Sequence, residues 1–516
     1  MRRAILATSC IPTPQHRMQR FDKIKRRDLH ARPLLGGALI VLSFILCSWC
    51  VTPAAAQPPR VPDGLQVLQS FEQVLVDVIG RSEDSVVAIA RVRKGDARTI
   101  DPSDPNFVPN EYATGVVIDS GGYILTNFHL MREDSDYWIT TSRRGVYKVT
   151  DWWGDERLDL AVLKTEADNL TPIEFGDAED LRKGKIVIAL GNPYAIARDG
   201  QACASWGIIS NLKRKPASEK RPAPSHSTTA LPGQSAEATL QSTEKPSVHH
   251  YGTLIYSDVR LERGTSGGAL LDLRGRMIGL TTALADHVGF EESAGYAIAI
   301  DEQMQGHIET LKRGEEVELG FLGIHVENRP EKMQIGVPGV RVTGTVFGTS
   351  ADEAGLRSGD VITAIEGSPI HDTDQLFLQF RKRAVDEEIR VLVERDGAHQ
   401  QLLVTLDKAP PSGRQRYSPR PLWRGLRIDH ASVLFQSGFG RGAAANKGVG
   451  IIHVERESPA WQAGLRAGMI VTAVNGTAVS HPRPCRELLT QAAGDVTLTV
   501  DAPAEDESGQ VLVPPE

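Results

Sequence analysis

Cysteine and aromatic residues are scarce in this sequence, which has five Cys and 6% Phe, Trp and Tyr among 516 residues. Three of the cysteines lie within the first 50 residues, and the other two, Cys203 and Cys485, are far apart in the chain. Two distant cysteines do not form a disulfide framework, so we expect both to be free thiols. Long apolar segments are also rare, because only one is long enough to serve as a membrane span.

That apolar segment is Leu34–Val51, which follows a basic stretch from Arg17 to Arg32 and precedes small residues at Ala54 and Ala56. This order of basic, apolar and small residues is typical of a secretory signal peptide. Because 18 apolar residues can nearly span a bilayer, an uncleaved membrane anchor is the alternative. Residues 1–56 are therefore predicted to be a signal peptide or N-terminal anchor, with the rest of the protein periplasmic or otherwise exported.

Positive charge is concentrated in this leader, since residues 1–56 contain nine Lys or Arg and two Asp or Glu. The remainder has 49 basic and 63 acidic side chains, and an acidic body has no general attraction to nucleic acid. We find no H-E-x-x-H motif and no paired Cys/His ligand spacing, and His249-His250 alone gives little support to a metal-dependent hydrolase. No metal, cofactor or nucleic-acid partner is expected.

The length argues for two to four domains. Short apolar segments closed by turns dominate from about residue 85 to residue 300, a pattern typical of an all-β sandwich or barrel. Val67–Ile79 has helical spacing and precedes them. The predicted strands are Gly115–Asp119, Tyr123–Asn127, Leu160–Lys164, Ile186–Leu190, Gly207–Ser210, Leu254–Val259, Ala269–Leu273, Met277–Leu280 and Tyr296–Ile300.

One segment interrupts this strand pattern. In Lys213–His250, 15 of 38 residues are Pro, Ser or Thr, and the only large apolar residues are Leu231, Leu240 and Val248. Such a segment cannot bury enough surface to fold, so it is predicted to be a disordered insertion. Its small positive excess could contact an acidic surface, but a solvated loop is the simpler interpretation.

An internal repeat follows the strand-rich part. Ala354–Gly367 (AGLRSGDVITAIEG) and Ala463–Gly476 (AGLRAGMIVTAVNG) agree at eight of 14 positions, which indicates two copies of one small domain. The Pro-rich segment Ala409–Arg420 is predicted to link the copies. Residues after Ala502 look like a loose acidic tail.

Three segments contain candidate catalytic residues. His129 follows a predicted strand, Asp159 precedes another, and Ser266 lies among glycines in Gly264–Leu270 (GTSGGAL). A single histidine, aspartate or serine in such a segment more often has a structural role than a catalytic one. Together, however, the three supply the nucleophile, base and orienting carboxylate of acyl transfer. The backbone amides of Gly264 and Ser266 could bind an oxyanion. The chain order His, Asp, Ser is that of the chymotrypsin arrangement.

The motifs TGVVIDSGGYILTNFHL, DLAVLK, IALGNP and ERGTSGGALLDLRGRMIGL resemble the successive motifs of the HtrA/Deg family of trypsin-like serine proteases. The two repeats resemble the PDZ domains of that family. The resemblance implies a mostly β fold, with a chymotrypsin-like double β-barrel followed by two α+β PDZ domains. The implied boundaries are 57–315 for the protease domain, 316–408 and 421–503 for the PDZ domains, 409–420 for the linker and 504–516 for the tail.

The same resemblance implies an exported, ATP-independent serine endopeptidase that degrades unfolded or damaged proteins as a homotrimer or a multiple of trimers. His129 would be the general base, Asp159 its orienting carboxylate and Ser266 the nucleophile. The implied substrate pocket consists of Leu261, Ala294 and Ile298. Arg260 lies six residues before the nucleophile and would favour an acidic substrate if it pointed inward, whereas a solvent-facing arginine is the alternative.

In such a family the PDZ domains bind C-terminal peptides by strand addition, with the peptide carboxylate held by loop amides. The alternative is that either copy only packs against the rest of the protein or oligomerises. For the second copy, this alternative is as well supported as peptide binding. The other overall hypothesis is a catalytically silent chaperone or peptide-binding scaffold, which the intact triad opposes. The implied carboxylate-binding residues are Phe321, Leu322, Gly323 and Ile324 in the first copy and Trp423, Arg424, Gly425 and Leu426 in the second.

Overall fold

The structure, a computed structural model, describes residues 64–95, 107, 109–192, 200–215, 247–262, 264–282, 295–328, 339–435, 448–502 and 505–515. The predicted signal peptide or anchor lies outside these residues, as do the middle of the predicted insertion and Ala294. Within the described ranges, no helix is both long enough and apolar enough to cross a bilayer.

The first β-barrel begins after helix α1 (Gly64–Ser82), which confirms the helix predicted from Val67 to Ile79. Its strands follow the order β5-β4-β1-β2-β3-β6, and a pairing between β5 and β6 closes the sheet. The strands are β1 (Val86–Arg93), β2 (Glu111–Asp119), β3 (Tyr123–Thr126), β4 (Ser135–Thr140), β5 (Val146–Asp155) and β6 (Leu160–Thr165).

The second barrel is closed in the order β10-β11-β12-β9-β8-β7, and helix α2 (Glu302–Lys312) follows it. Each of the nine predicted strands overlaps an observed strand of the two barrels, whereas β1, β4 and β5 lie outside the predicted segments. The strands are β7 (Ile186–Gly191), β8 (Cys203–Arg214), β9 (Leu254–Ser257), β10 (Ala269–Leu271), β11 (Met277–Thr281) and β12 (Gly295–Ala299).

Successive side chains along a strand point to opposite faces of the sheet, and this alternation explains how the two barrels pack together. Val116 and Val117 are neighbours on β2 and point to opposite faces of the sheet. Val117 belongs to the core inside the first barrel, while Val116 belongs to a second cluster that also contains Ile188 and Leu190 of β7. The barrels therefore share a buried apolar interface, which fixes the loops at its edge relative to each other.

The ends of the predicted insertion are ordered, so that prediction was too broad. Lys213 and Arg214 belong to β8, and a 3₁₀ turn, Val248–Tyr251, packs the other end onto the barrels. His249 in this turn is fully buried, and its ring nitrogens bond the Leu158 carbonyl and the Thr253 hydroxyl, each at 2.8 Å. Composition misses this anchoring because it averages over the whole segment. Residues 216–246 lie outside the described part of the chain.

The first repeat forms a PDZ-like sheet in the order β14-β15-β16-β18-β19, with β13 paired to β20. Its elements are β13 (Gly320–Phe321), β14 (Ile324–Asn328), β15 (Val340–Thr345), α3 (Ser350–Glu353), β16 (Val361–Ile365), β17 (Ser368–Pro369), α4 (Thr373–Arg381), β18 (Glu388–Arg395), β19 (Ala398–Thr405) and β20 (Asp407–Lys408).

The predicted linker between the repeats is partly a strand. Gln415–Arg416 forms β21, which pairs with β5 of the first barrel in the register Gln415↔Asp155 and Arg416↔Gly154. The Pro-rich composition indicated an independent spacer, but the pairing partner lies about 260 residues earlier, beyond the reach of local sequence patterns. This segment therefore docks on the first barrel.

The second repeat has the same sheet order as the first, β22-β23-β24-β26-β27. The expected loose tail is wrong, because residues 505–513 form the last strand of this sheet and Val513 is buried in its core. The apolar residues Val511 and Val513 explain the pairing. The elements are β22 (Leu426–His430), β23 (Val449–Val454), α5 (Pro459–Gln462), β24 (Ile470–Val474), β25 (Thr477–Ala478), α6 (Pro482–Gln491), β26 (Val496–Ala502) and β27 (Glu505–Val513).

Cys203 and Cys485 are free thiols, as expected, with Cys203 exposed and Cys485 buried.

Candidate active site

His129 and Asp159 are in direct contact in the first barrel. His129 lies in a 3₁₀ turn, Phe128–Leu130, directly after β3, and its ring Nδ1 is 2.9 Å and 3.0 Å from the two carboxylate oxygens of Asp159. The backbone amide of His129 also donates to Asp159 Oδ1 at 2.9 Å. The carboxylate therefore fixes both the backbone and the ring of the histidine, which leaves Nε2 as the ring nitrogen for proton transfer.

Asp159 occupies the turn between β5 and β6 and is buried, with its backbone in the left-handed region at a φ of 50°. A non-glycine residue there carries strain, which neighbouring contacts must support. Asn127 Nδ2 donates to Asp159 Oδ2 at 3.2 Å, and the Thr282 hydroxyl donates to the same oxygen at 3.3 Å. Phe128 donates its amide to the Asp159 carbonyl at 3.1 Å. The turn is thus held from both barrels.

The pKa values of the pair move apart. Burial alone would raise the pKa of Asp159, but the charge of His129 and its hydrogen bonds outweigh burial and hold that pKa below its ordinary value. Burial would lower the pKa of His129, but the Asp159 charge and hydrogen bond outweigh it and raise that pKa. Asp159 therefore stabilises the imidazolium that forms when His129 accepts a proton.

The Ser266 loop is bonded across the barrel interface to β2. The Thr114 amide donates to the Ser266 carbonyl at 3.0 Å, and the Thr114 hydroxyl donates to the Gly264 carbonyl at 2.6 Å. The same hydroxyl accepts from the Asn192 amide at 2.8 Å. Sequence reasoning missed Thr114, although it is the first residue of the TGVVID motif. The carbonyls of Gly264 and Ser266 point to Thr114, which orients the peptide planes of the loop.

Glycine is required directly after Ser266. Gly267 has a φ of 85°, and a Cβ atom there would lie 2.1 Å from the Thr114 carbonyl oxygen and 2.3 Å from the Thr126 hydroxyl. Gly264 also has a positive φ, 92°. These conformations favour glycine. The pattern of glycines in the motif thus matches the backbone that the loop needs.

The expected pocket is only partly assembled in the described residues. Leu261 and Ile298 are both buried, but they belong to different apolar clusters, and Ala294 lies outside the described residues. Ala297, on the opposite face of β12 from Ile298, shares the cluster of Leu261. Arg260 is solvent-facing, with 81% of its side chain exposed and an ion pair to Glu262 at 2.8 Å.

The first PDZ loop has the shape expected of a carboxylate-binding turn. Gly323 has a φ of 74°, and a Cβ atom there would lie 2.2 Å from the Thr349 hydroxyl. The Leu322 carbonyl accepts from the Ala351 amide at 3.0 Å, which orients the loop ahead of β14. Phe321 pairs with Asp407, and Ile324 begins β14.

The second PDZ loop differs. Trp423 and Leu426 exchange backbone hydrogen bonds of 3.0 Å and 2.7 Å, so the Leu426 amide is already used inside the loop. The Arg424 guanidinium donates to the carbonyls of Val513 and Gly494 and stacks on the Trp423 ring at 4.6 Å. Gly425 has a φ of 81°. The Arg424 side chain therefore holds its own domain together, whereas its expected role in carboxylate binding, which would involve its backbone amide, stays a prediction.

Comparison with known proteins agrees with this arrangement. The trypsin-like peptidase domain family matches residues 113–280, and two PDZ domain families match residues 320–406 and 450–501. Protease Do-like 1, chloroplastic, of Arabidopsis thaliana is 29% identical over 387 residues, covering 72% of this chain and 80% of that protein. Periplasmic serine endoprotease DegP of Escherichia coli K12 is 28% identical over 401 residues, covering 75% of this chain and 73% of that protein.

Among solved structures, the HtrA-type protease AlgW with tripeptide matches at a TM-score of 0.48 and 23% identity, covering 65% of this chain and 97% of that chain. Two β-barrels with a His–Asp pair and a serine loop at their interface, followed by two PDZ domains, define a trypsin-like serine protease with a PDZ tail. The chain thus has a trypsin-like peptidase domain and two PDZ domains, and it is similar to proteases named as DegP.

Proposed function

We propose that this protein is an exported, ATP-independent serine endopeptidase that degrades unfolded or damaged proteins. The observation that carries the proposal is the contact of His129 Nδ1 with both Asp159 oxygens, on the barrel that is bonded through Thr114 to the Ser266 loop. Export is supported by the basic, apolar and small-residue order of the leader and by relatives named periplasmic.

In the proposed reaction, His129 Nε2 takes the proton of the Ser266 hydroxyl as Oγ bonds to the substrate carbonyl carbon. The amides of Gly264 and Ser266 stabilise the resulting oxyanion. When the C–N bond breaks, His129 returns the proton to the leaving amine, and water then repeats the two steps to release the acyl group. Because protonated His129 cannot act as a base, turnover requires a pH above its raised pKa. No cofactor is needed for these steps.

We further propose that the first PDZ domain captures exposed C-termini through Phe321–Ile324, since Gly323 adopts the turn that this mode needs. The second domain is proposed as the weaker binder, because its Leu426 amide is occupied by Trp423. The homotrimer, or multiple of trimers, rests on the resemblance alone and is checked by light scattering of the purified protein.

A fluorophosphonate probe tests the enzyme assignment. We expect the purified protein to be labelled and to cleave casein, and Ser266→Ala to lose both while keeping its thermal stability and peptide binding. His129→Ala is expected to lose turnover in the same way. Labelling or cleavage that persists in Ser266→Ala would refute the assignment. A folded but unlabelled parent protein that still binds C-terminal peptides would favour the scaffold alternative.

A further inference from the structure

Three metal-ligating side chains from separate parts of the chain meet where the two PDZ domains adjoin. Asp386 lies in the turn before β18 of the first domain, His430 ends β22 of the second, and His481 precedes helix α6. The Asp386 Oδ1 atom is 2.8 Å from His481 Nδ1 and 3.8 Å from His430 Nδ1. One ligand atom from each of the three lies within 4.8 Å of the other two.

These distances suit a single ion. Zinc takes imidazole nitrogen and carboxylate oxygen at about 2.0–2.2 Å in tetrahedral sites, which places neighbouring ligand atoms roughly 3.3–3.5 Å apart. The separations of 3.8 Å and 2.8 Å lie on either side of that value. Small side-chain rotations would therefore bring the ligand atoms into coordination distance, with the ion replacing the hydrogen bond between Asp386 and His481.

The backbone holds the ligands in place before any ion arrives. The Asp386 amide donates to the Leu406 carbonyl at 2.9 Å, and the His430 amide donates to Asp429 Oδ1 at 2.8 Å. His430 is buried, whereas the Asp386 side chain is 38% exposed, which gives an ion a route from solvent. These bonds fix the backbone at Asp386 and His430, while the contact of Asp386 Oδ1 with His481 Nδ1 orients those two side chains.

The local charge includes both signs. The carboxylates of Asp386, Asp407 and Glu353 act on His481. Lys408 opposes them, because its ammonium group acts on His430 and is ion-paired with Asp429 at 2.7 Å. The carboxylates near His481 also offset the positive end of the α6 dipole and the charge of Arg486. The sequence alone does not show this site because its ligands are 44 and 51 residues apart.

We propose that Asp386, His430 and His481 bind a zinc-class divalent metal ion that bridges the two PDZ domains. With three protein ligands, the fourth position is available for water. The ion would fasten the first domain to two elements of the second domain, because His430 ends β22 and His481 directly precedes α6. Its role is structural and does not depend on the proposed peptidase activity.

Zinc binding to the chelator-stripped protein tests the proposal. Equilibrium dialysis against Zn²⁺ should give one bound zinc per chain for the parent. The zinc affinity of His481→Asn should be at least about tenfold weaker, since losing even a residue that only orients a metal ligand lowers metal affinity about 10–100-fold. Asparagine is a good helix N-cap, so this change preserves α6. His430→Asn should weaken binding similarly. His399→Asn, on exposed strand β19, is the matched control and should bind like the parent.

Cobalt supplies an independent readout. Co²⁺ bound in place of Zn²⁺ should give visible absorption of a four-coordinate site, and that absorption should be absent in His481→Asn. Zinc that binds equally well to the parent, His430→Asn and His481→Asn would lie elsewhere in the chain and would overturn the proposal. Failure of the folded parent to bind zinc at micromolar concentration would overturn it as well.

Discussion

Replacing Arg414 by alanine tests whether the segment between the PDZ domains stabilises the active site. The Arg414 guanidinium bonds both carboxylate oxygens of Glu156, at 3.0 Å and 3.3 Å, and lies 5.4 Å over the ring of Phe128. The backbone carbonyl of Glu156 accepts a hydrogen bond from the Asp159 amide at 3.2 Å, and Phe128 directly precedes His129. One arginine side chain therefore touches the neighbours of two of the three proposed catalytic residues, Asp159 and His129.

The size of the effect follows from exposure. The Arg414 side chain is 61% exposed and that of Glu156 is 33% exposed, so their ion pair is worth about 0.2–1 kcal/mol. The cation–π contact with Phe128 adds about 0.5–1 kcal/mol. A combined loss of about 1–2 kcal/mol changes a conformational equilibrium about 5–30-fold at most. Because the backbone pairing of β21 remains, we expect kcat to fall only about three- to tenfold.

Casein-derived fluorogenic peptides give kcat and KM separately, and Arg416→Ala is the matched control. Arg416 lies on the same docked segment, but its side chain stacks 4.5 Å over Trp152 and bonds Asp151 at 2.7 Å rather than contacting Glu156 or Phe128. We expect both variants to lose similar thermal stability, while only Arg414→Ala loses kcat and Arg414→Lys partly restores it. Equal kcat in the parent and Arg414→Ala would refute the reasoning, as would equal kcat losses in the two alanine variants.

Three further changes have measurable outcomes. Thr114→Val removes a buried hydroxyl that donates to the Gly264 carbonyl, and leaving that buried carbonyl without the bond costs about 1–3 kcal/mol. Fluorophosphonate labelling of Ser266 should therefore slow at least about fivefold, and an unchanged labelling rate would contradict this expectation. Deleting 217–245 should leave the melting temperature nearly unchanged, whereas deleting 213–250, which removes buried His249, should lower it by several degrees in calorimetry. Burial lowers the pKa of His307 to about 4 from 6.5, so its contribution to stability is complete above pH 6.5 and is lost as pH falls through 4. In urea titrations, the free energy of unfolding of His307→Gln should therefore fall less than that of the parent over this pH range, by at most about 3 kcal/mol.

Much of the site could be predicted from the sequence because its constraints are local. The glycines around Ser266 are needed for positive φ angles and close contacts, as Gly267 shows, and such requirements appear directly as residue identities. The strands near Ser266 and His129 alternate between two buried faces, which makes them recognisable as short apolar segments. His129 and Asp159 could be paired only through the ordered set of motifs, since neither has a distinctive neighbourhood of its own.

The parts that could not be predicted depend on contacts between distant segments. Composition marked Ala409–Arg420 as a spacer, yet Gln415 and Arg416 pair with β5, and composition marked 213–250 as disordered, yet His249 is buried against the Leu158 carbonyl. In both places a few residues supply specific bonds within a polar segment, and averaging hides them. The two anchors approach the same turn, because Arg414 bonds Glu156 and His249 bonds Leu158, on either side of Arg157. The strained conformation of Asp159 is thus supported by segments outside the barrel strands. Displacing either segment would therefore disturb this turn and, through it, the position of Asp159.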